Sequence, residues 1–473
     1  MELNLNFDNI INNSDIDYSK NSSLKGVFVS LISLGCDKNT VDSENMLGQL
    51  GLGGCIFTGD IKKAQIIIIN TCGFLQAAIK ESELAVNSAI EQKKYGKARV
   101  VIVAGCATQR YRDEFMKGIS EIDALIGVAE YSQILGIVES AFNKNIDKYI
   151  NFSETDSHRF DESIFLNRIL STPKHYAYLK ISEGCDKTCT YCIIPKIRGA
   201  YRSRTFDSLI DEAKILADMG VCELILVAQD STLYGTDIYG YQRLHELLAE
   251  LSKIDGISLL RILYCYPEHV YPELINEMSK NDKIAKYIDM PIQHASDRVL
   301  KLMGRRSNQD KILKTISELR NAMPDISIRT TLITGFPGEE KEDFKILIKF
   351  IEDAKFDRLG VFSYSREAGT PADKMQNHIE EKTKEARKNR LMKVQMNVSI
   401  QKAMEKIGKI MSAFIESYED GFYIARSQYD APDIDSIIYI NSECKLKNGE
   451  LVNIKIIDSR EYDLIGELYE YSK

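Results

Sequence analysis

No apolar run in this 473-residue chain approaches the roughly 20 residues of a membrane span, which excludes a helical membrane protein. The first 24 residues are polar and rich in asparagine. They lack the apolar centre of a secretory signal, so the chain is expected to be cytoplasmic. In a reducing compartment its ten cysteines are not a disulfide framework, and metal or redox chemistry fits such a number better. The six histidines show no metal-ligand spacing and read as surface or hydrogen-bonded residues. Excess positive charge is also missing: a net charge of −8 and a pI of about 5.6 give no global drive toward nucleic acid. What is present, 44% hydrophobic and 27% charged residues, is the balance of a soluble globular protein. The length allows two to four domains.

One stretch stands out. Between Ile181 and Cys192, three cysteines (Cys185, Cys189 and Cys192) follow the spacing C-x3-C-x2-C, with Tyr191 directly before the third. Three thiolates are one short of the four that close an ordinary iron–sulfur cluster, so one iron stays open to a substrate or cofactor. The competing reading is three buried or zinc-binding cysteines. Zinc ligands usually come as C-x2–4-C pairs with a matching second pair, which is not seen here.

Upstream, Val27–Leu34, 66–69 and 100–104 read as continuously apolar strands. They alternate with helical stretches at 42–50 and 76–93. Such a pattern predicts a parallel sheet covered on both faces. Each strand ends at a cysteine beside a glycine: Cys36, Cys72 and Cys106, at intervals of 36 and 34 residues, close to one βαβ unit. The carboxyl ends of parallel strands share one edge, so three distant thiols should meet there. Buried cysteines can also pack as small hydrophobes, but three in equivalent positions point to a second three-thiolate cluster.

Residues 142–174 are polar and read as a connector forming a hairpin; His158 lies within it. From Tyr176 the strand–helix pattern resumes, with strands expected at 176–181, 223–228, 258–264, 287–290, 327–333 and 359–362. Six βα units suggest a partial barrel with its active site at the carboxyl ends of the strands. The loops there carry candidate cofactor-binding residues: Gln229 and Asp230, then Gly335, Phe336 and Pro337, then Tyr364. Glycine turns let backbone groups reach a nucleoside, and polar tips can bond a ribose or amino-acid group. Cys55, Cys222 and Cys265 have no partner spacing and read as structural. Arg198, Arg202 and Arg204 form either a solvated basic edge or an anion contact. A long Lys- and Glu-rich helix over 380–406 closes this part.

From about Gly408 short alternating strands predict a small antiparallel barrel. Residues 407–473 hold 7 Lys and Arg against 13 Asp and Glu, a net −6. This module should repel phosphate and attract a basic partner. The loop Asp430–Asp435 is its expected contact.

Together these motifs resemble the methylthiotransferases of the radical S-adenosylmethionine (SAM) superfamily, from about Gly26 to the end. Within that family, 33–39 (Ser-Leu-Gly-Cys-Asp-Lys-Asn) and 426–435 resemble the branch that modifies a ribosomal protein. The tRNA-modifying branch carries a Gln-Met-Asn version after the first cysteine. The resemblance implies an α/β chain divided into a polar tail (1–24), an amino-terminal methylthiotransferase domain (25–141), a linker (142–174), a partial (β/α)6 radical SAM core (175–406) and a TRAM barrel (407–473). It implies two [4Fe–4S] clusters and SAM. Cys185, Cys189 and Cys192 would hold the SAM-cleaving cluster, with Tyr191 among the cofactor-binding residues. Cys36, Cys72 and Cys106 would hold the auxiliary cluster. The implied substrate is an aspartate of small-subunit ribosomal protein number twelve, methylthiolated at its β-carbon. An external electron donor and a monomeric protein are expected beside it, though the sequence itself marks neither. The terminal barrel is expected not to bind RNA. Two alternatives are a tRNA adenosine methylthiotransferase and a non-catalytic iron–sulfur carrier or scaffold.

Overall fold

The computed structural model describes residues 22–112, 121–145, 148–152 and 161–469. The chain forms two compact units. The first comprises the described residues up to Lys187 with Ile193–Met219 and Val227–Gln229; the second comprises Thr188–Cys192, Gly220–Leu226 and the chain from Asp230. No helix among the described residues is long and apolar enough to cross a membrane. His158 lies outside the described residues.

The first unit is built on a six-stranded parallel sheet. Its strands are β1 (Phe28–Ser33), β2 (Ile56–Phe57), β3 (Ile66–Thr71), β4 (Val100–Gly105), β5 (Ala124–Ile126) and β6 (Tyr149–Asn151), in the order β2-β1-β3-β4-β5-β6. The continuously apolar strands are buried on both faces, as their composition demands. Ile66 and Ile68 pack with Met46, Leu47, Ile134 and Val138 on one side; Ile67 and Ile69 pack with Val86 and Ala89 on the other. Each fully buried isoleucine contributes about 1.5–3 kcal/mol. Leu24, at the end of the expected polar tail, is fully buried in the first of these cores.

The described residues of 142–174 show no hairpin. Tyr149–Asn151 instead pairs in parallel with β5 as the sixth strand of the sheet. Further on, Arg168 is buried between Glu44 and Glu212, which accept from it at 2.7 Å each. The segment is thus part of the unit it was expected to leave. The unit continues through β7 (Tyr176–Lys180) and the short antiparallel pair β8 (Ser182–Glu183) and β9 (Arg202–Ser203).

The second unit carries the remaining strands of the central region. They are β10 (Glu223–Val227, whose last residue belongs to the first unit), β11 (Leu259–Ile262), β12 (Tyr287–Asp289), β13 (Ser327–Thr334) and β14 (Arg358–Ser363). β10 runs parallel to β11, and β12, β13 and β14 run parallel in that order. The Cys265 N–H donates to the Asp289 carbonyl at 2.8 Å and links the two sets. The closing helix spans Glu381–Met404.

The carboxyl-terminal strands β15 (Ile410–Glu419), β16 (Phe422–Ser427), β17 (Ile438–Ile440), β18 (Leu451–Ser459) and β19 (Leu464–Leu468) close into a barrel in the order β15-β16-β17-β19-β18. The expected antiparallel pattern holds except for β17 and β19, which pair in parallel.

The loop 430–435 is not a free acidic surface. The buried Asp430 carboxylate accepts from Arg358, and Asp435 accepts from the Tyr287 hydroxyl at 2.7 Å and lies 3.3 Å from Arg329. These partners sit at the amino-terminal ends of β12, β13 and β14. The loop therefore fixes the small barrel to the central strands, and only Asp433 of its three aspartates is exposed.

Glu223, at the start of β10, completes the attachment. It is fully buried and accepts from Arg261 at 2.8 Å and from Arg426 of the small barrel at 2.5 Å. Burial alone would raise its pKa, but the two guanidinium groups outweigh it and hold the carboxyl at about 2 instead of the ordinary 4.5. A depressed carboxyl contributes stability above its ordinary value that is lost as the pH falls toward the depressed one. Glu223→Gln is expected to cost roughly 3–5 kcal/mol at pH 7, and to remove only the share of the acid-dependent loss between pH 4.5 and about 2 that Glu223 contributes, leaving that of the other depressed carboxyls. Urea denaturation of both proteins across that range measures this.

Candidate active site

The first unit brings the three amino-terminal cysteines together. β1, β3 and β4 are parallel neighbours, so their carboxyl ends lie side by side. Cys36 caps the helix Asp37–Leu52 without a side-chain capping bond, Cys72 follows β3, and Cys106 opens the short helix Cys106–Arg110. Each thiol lies within electrostatic range of the others. Cys106 is buried, Cys72 half-buried and Cys36 exposed, so the group opens on one side. The backbone around them is cut close. A Cβ on Gly35, at φ +105°, would lie 3.1 Å from the Cys72 sulfur, and one on Gly73 would lie 2.5 Å from the Cys106 carbonyl.

Among the described residues no group of three His, Cys, Asp or Glu side chains is placed to hold a single metal ion. A cluster whose thiolates each bind a different iron needs wider spacing, and this donor set fits one. Burial pushes the Cys72 thiol up to about 12. It raises the Cys106 thiol too, against the opposing pull of Arg198. Both therefore keep their protons at neutral pH until a metal displaces them.

The first half of the helix Asp37–Leu52 is polar yet buried, from Lys38 to Asn45. Its side chains line this site. Asn39 donates to the carbonyls of Leu34 and Thr71 at 2.7 and 3.1 Å, which locks the ends of β1 and β3. Asp42 accepts from Lys180 and, at 2.7 Å, from Arg198. Arg198 also donates to Glu183 at 2.9 Å and to Asn39 at 2.5 Å. Its Nε and Nη2 reach the Cys106 sulfur at 3.2 and 3.1 Å. Burial alone would raise the Glu183 carboxyl, but Arg198 and Lys180 outweigh it and hold it well below the usual range. Arg198 is therefore neither solvated nor a surface anion contact. Arg204 is also buried, on Glu212 and over the Phe165 ring. Half-buried Arg202 donates to the carbonyls of Ala200 and Arg198.

Of the central cysteines, Cys185 belongs to the first unit and Cys189 and Cys192 to the second. The Cys185 N–H donates to the Gly199 carbonyl at 3.0 Å, and Gly184 before it, at φ +80°, leaves no room for a side chain against the Ala200 carbonyl. Cys189 and Cys192 bracket one turn, closed by a 3.1 Å bond from the Cys192 N–H to the Cys189 carbonyl. The turn is pinned from two sides: Thr190 N–H donates to Met303, and Ala372 N–H donates to Thr190.

The structure places the other candidates as follows. Tyr191 meets Phe336 edge-on, and Phe336 meets Tyr364 in the same way, within a cluster that includes Val299, Met303 and Ala372. Pro337 is buried next to Phe336. The N–H groups of Gly335 and Phe336 do not point outward. Both donate to Glu339, at 2.6 and 3.3 Å, so this turn serves to place Phe336. Asp230 is fully buried and is spent on Thr232 and, at 2.9 Å, on His269. Gln229 donates to Glu183 at 2.6 Å, while its Oε1 is buried without a hydrogen-bond partner. The roles of Asp42, Lys180 and Glu183 gave no signal in the sequence: Asp42 sits in a buried polar run with no apolar period to mark it, and Lys180 and Glu183, in β7 and β8, find it only through the fold.

Sequence families match three parts of the chain: the radical SAM superfamily at 179–351, the uncharacterized protein family UPF0004 at 29–127 and the TRAM domain at 407–468. A radical SAM methyltransferase structure, TsrM from Kitasatospora setae with tryptophan and a SAM analogue, aligns over 82% of this chain and 78% of its own, at a TM-score of 0.53 and 12% identity. That likeness speaks to the fold alone. Among curated proteins, the ribosomal protein uS12 methylthiotransferase RimO of Acetivibrio thermocellus is 48% identical over 451 residues, 94% of this chain and 99% of its own. RimO of Clostridioides difficile is 48% identical over 444 residues, 93% and 99% respectively. Fold, cysteine loop and sequence thus define a radical SAM protein with a terminal TRAM barrel. The chain belongs to the RimO family of ribosomal protein uS12 methylthiotransferases.

Proposed function

We propose that this chain methylthiolates the β-carbon of an aspartate in uS12. The observation that carries this reading is the near full-length identity to uS12 methylthiotransferases, with all six cysteines in the required pattern. Cys185, Cys189 and Cys192 would hold one [4Fe–4S] cluster, and Cys36, Cys72 and Cys106 the other. Bound and reduced by an external donor, the first cluster with SAM would supply the radical chemistry needed for a C–H bond too strong for any side-chain base. The chain's own residues do the rest. Half-buried Tyr191, backed by the buried Phe336, Pro337 and Tyr364, would offer an aromatic face to the cofactor's nucleoside. In the first unit, the Gln229 Oε1 is an acceptor without a hydrogen-bond partner among the described residues. Gly335 and Asp230 brace their loops. Arg198 anchors Cys106 to the Asp42–Glu183 carboxylates. The labour divides along 25–141, 175–406 and 407–473, and the protein works as a cytoplasmic monomer without RNA contact through its barrel.

Anaerobically reconstituted protein with SAM and a reductant, offered uS12 and unmodified tRNA in parallel, is expected to add a methylthio mass to uS12 alone. A gain on tRNA alone would identify a tRNA methylthiotransferase. No SAM cleavage at all would identify a carrier or scaffold.

A further inference from the structure

Cys106 and Cys185 belong to different cysteine sets, yet one residue reaches both. Both lie in the first unit, and so does Arg198. Arg198 is buried, and all five of its side-chain N–H donors are taken. Nε and Nη2 donate to the Cys106 sulfur at 3.2 and 3.1 Å. Nη1 donates to Asp42 and Glu183 at 2.7 and 2.9 Å, and Nη2 donates again to Asn39 at 2.5 Å. A planar group held at five points cannot turn without moving its partners.

Two short routes lead on from Arg198 to Cys185. Along the chain, the next residue is Gly199, whose carbonyl accepts the Cys185 N–H at 3.0 Å. Through the side chain, the Glu183 carboxylate also accepts the N–H of Gly184, directly before Cys185, at 3.3 Å. Glu183 is itself fixed by Lys180 at 2.9 Å and by Gln229 at 2.6 Å. Two hydrogen-bonded routes between Cys106 and Cys185 thus share one arginine.

We propose that Arg198 is a positioning residue that couples the two cluster sites, passing a change of charge at the Cys106 sulfur through Gly199 and Glu183 to Cys185. The proposal rests on the two-cluster reading above. Its chemical basis lies in the sulfur. When iron replaces the thiol proton, the sulfur becomes a stronger acceptor and draws the guanidinium toward it. In a fully satisfied buried network, tightening one bond is felt at the others. Positive charge is then pulled toward Cys106 and away from Cys185. The cluster on Cys185 should therefore be harder to reduce when the auxiliary cluster is present.

The test measures the reduction potential of the Cys185 cluster by redox titration followed by electron paramagnetic resonance. The signal that changes on adding SAM identifies that cluster. Reconstituted protein is compared with Cys36→Ala, which lacks the auxiliary cluster, in three backgrounds: Arg198, Arg198→Lys and Arg198→Met. With Arg198, Cys36→Ala is expected to favour reduction about tenfold, or about 59 mV for one electron. In both Arg198 variants the shift should fall by more than half. A shift of equal size in all three backgrounds would overturn the proposal, because plain charge repulsion between clusters does not need the arginine. No shift with Arg198 in place would overturn it too. If Arg198→Met loses iron, Arg198→Lys decides, because it keeps the charge but not the five-point hold. Protein with Cys36 and Arg198 intact that shows no SAM-sensitive signal would instead refute the function, a result separate from any change in the shift.

Discussion

Replacing Cys189 with alanine is expected to reduce SAM cleavage to background while the amino-terminal cluster survives. Cys189 and Cys192 are held by one short turn, which is pinned in place by Met303 and Ala372. With one thiolate gone, the remaining two cannot define a cluster with a single open iron. Cys36, Cys72 and Cys106 are set by a different framework, the ends of β1, β3 and β4, and need nothing from that turn. Iron analysis should therefore give roughly four irons per chain instead of roughly eight. The reciprocal variant, Cys36→Ala, should cleave SAM and fail to transfer sulfur. Cleavage that persists in Cys189→Ala would show that the central cysteines are not the SAM site.

The second large effect concerns Arg198. Arg198→Met leaves Asp42 and Glu183 buried with Lys180 bonded to both, and withdraws two donors from the Cys106 sulfur. Breaking a buried charge network in this way costs about 3–5 kcal/mol. Hydrogen bonds to a ligating sulfur favour the reduced cluster, so the auxiliary cluster's reduction potential should also fall. Arg198→Lys should recover part of the stability but not the potential, because it restores the charge without the fork. Denaturant unfolding reads the first quantity. A redox titration followed by electron paramagnetic resonance reads the second, most cleanly in the Cys189→Ala background. An unchanged potential in Arg198→Met would mean that the contact with Cys106 is packing alone.

The sequence carried the architecture where one kind of residue repeats. Apolar runs at 66–69 and 100–104 read as doubly covered strands, and β3 and β4 are such strands, with Cys72 and Cys106 at their carboxyl ends. It failed where meaning lies in pairs far apart. Asp430 and Asp435 read as a surface for a basic partner because Arg358 and Arg329 stand about seventy and one hundred residues earlier. Arg198 was ambiguous for the same reason, since Asp42 lies 156 residues away. Asp37–Asp42 did not read as the start of a helix because its buried face is polar. Tyr149–Asn151 was missed because a three-residue edge strand carries too little pattern to be seen without its neighbour.

The arginine–carboxylate seam at the base of β10 to β14 also bears on how this chain can be recombined. Glu223 and Arg261 meet Arg426, Arg358 meets Asp430, and Arg329 with Tyr287 meets Asp435. Each pairing has one half in the central strands and the other in the small barrel. A barrel transplanted from a relative would leave buried charges stranded on both sides unless its carboxylates and arginine matched. The two halves of this seam can therefore change only in step, and chimaeras that exchange the barrel to redirect substrate choice must carry the rim of β10 to β14 with it.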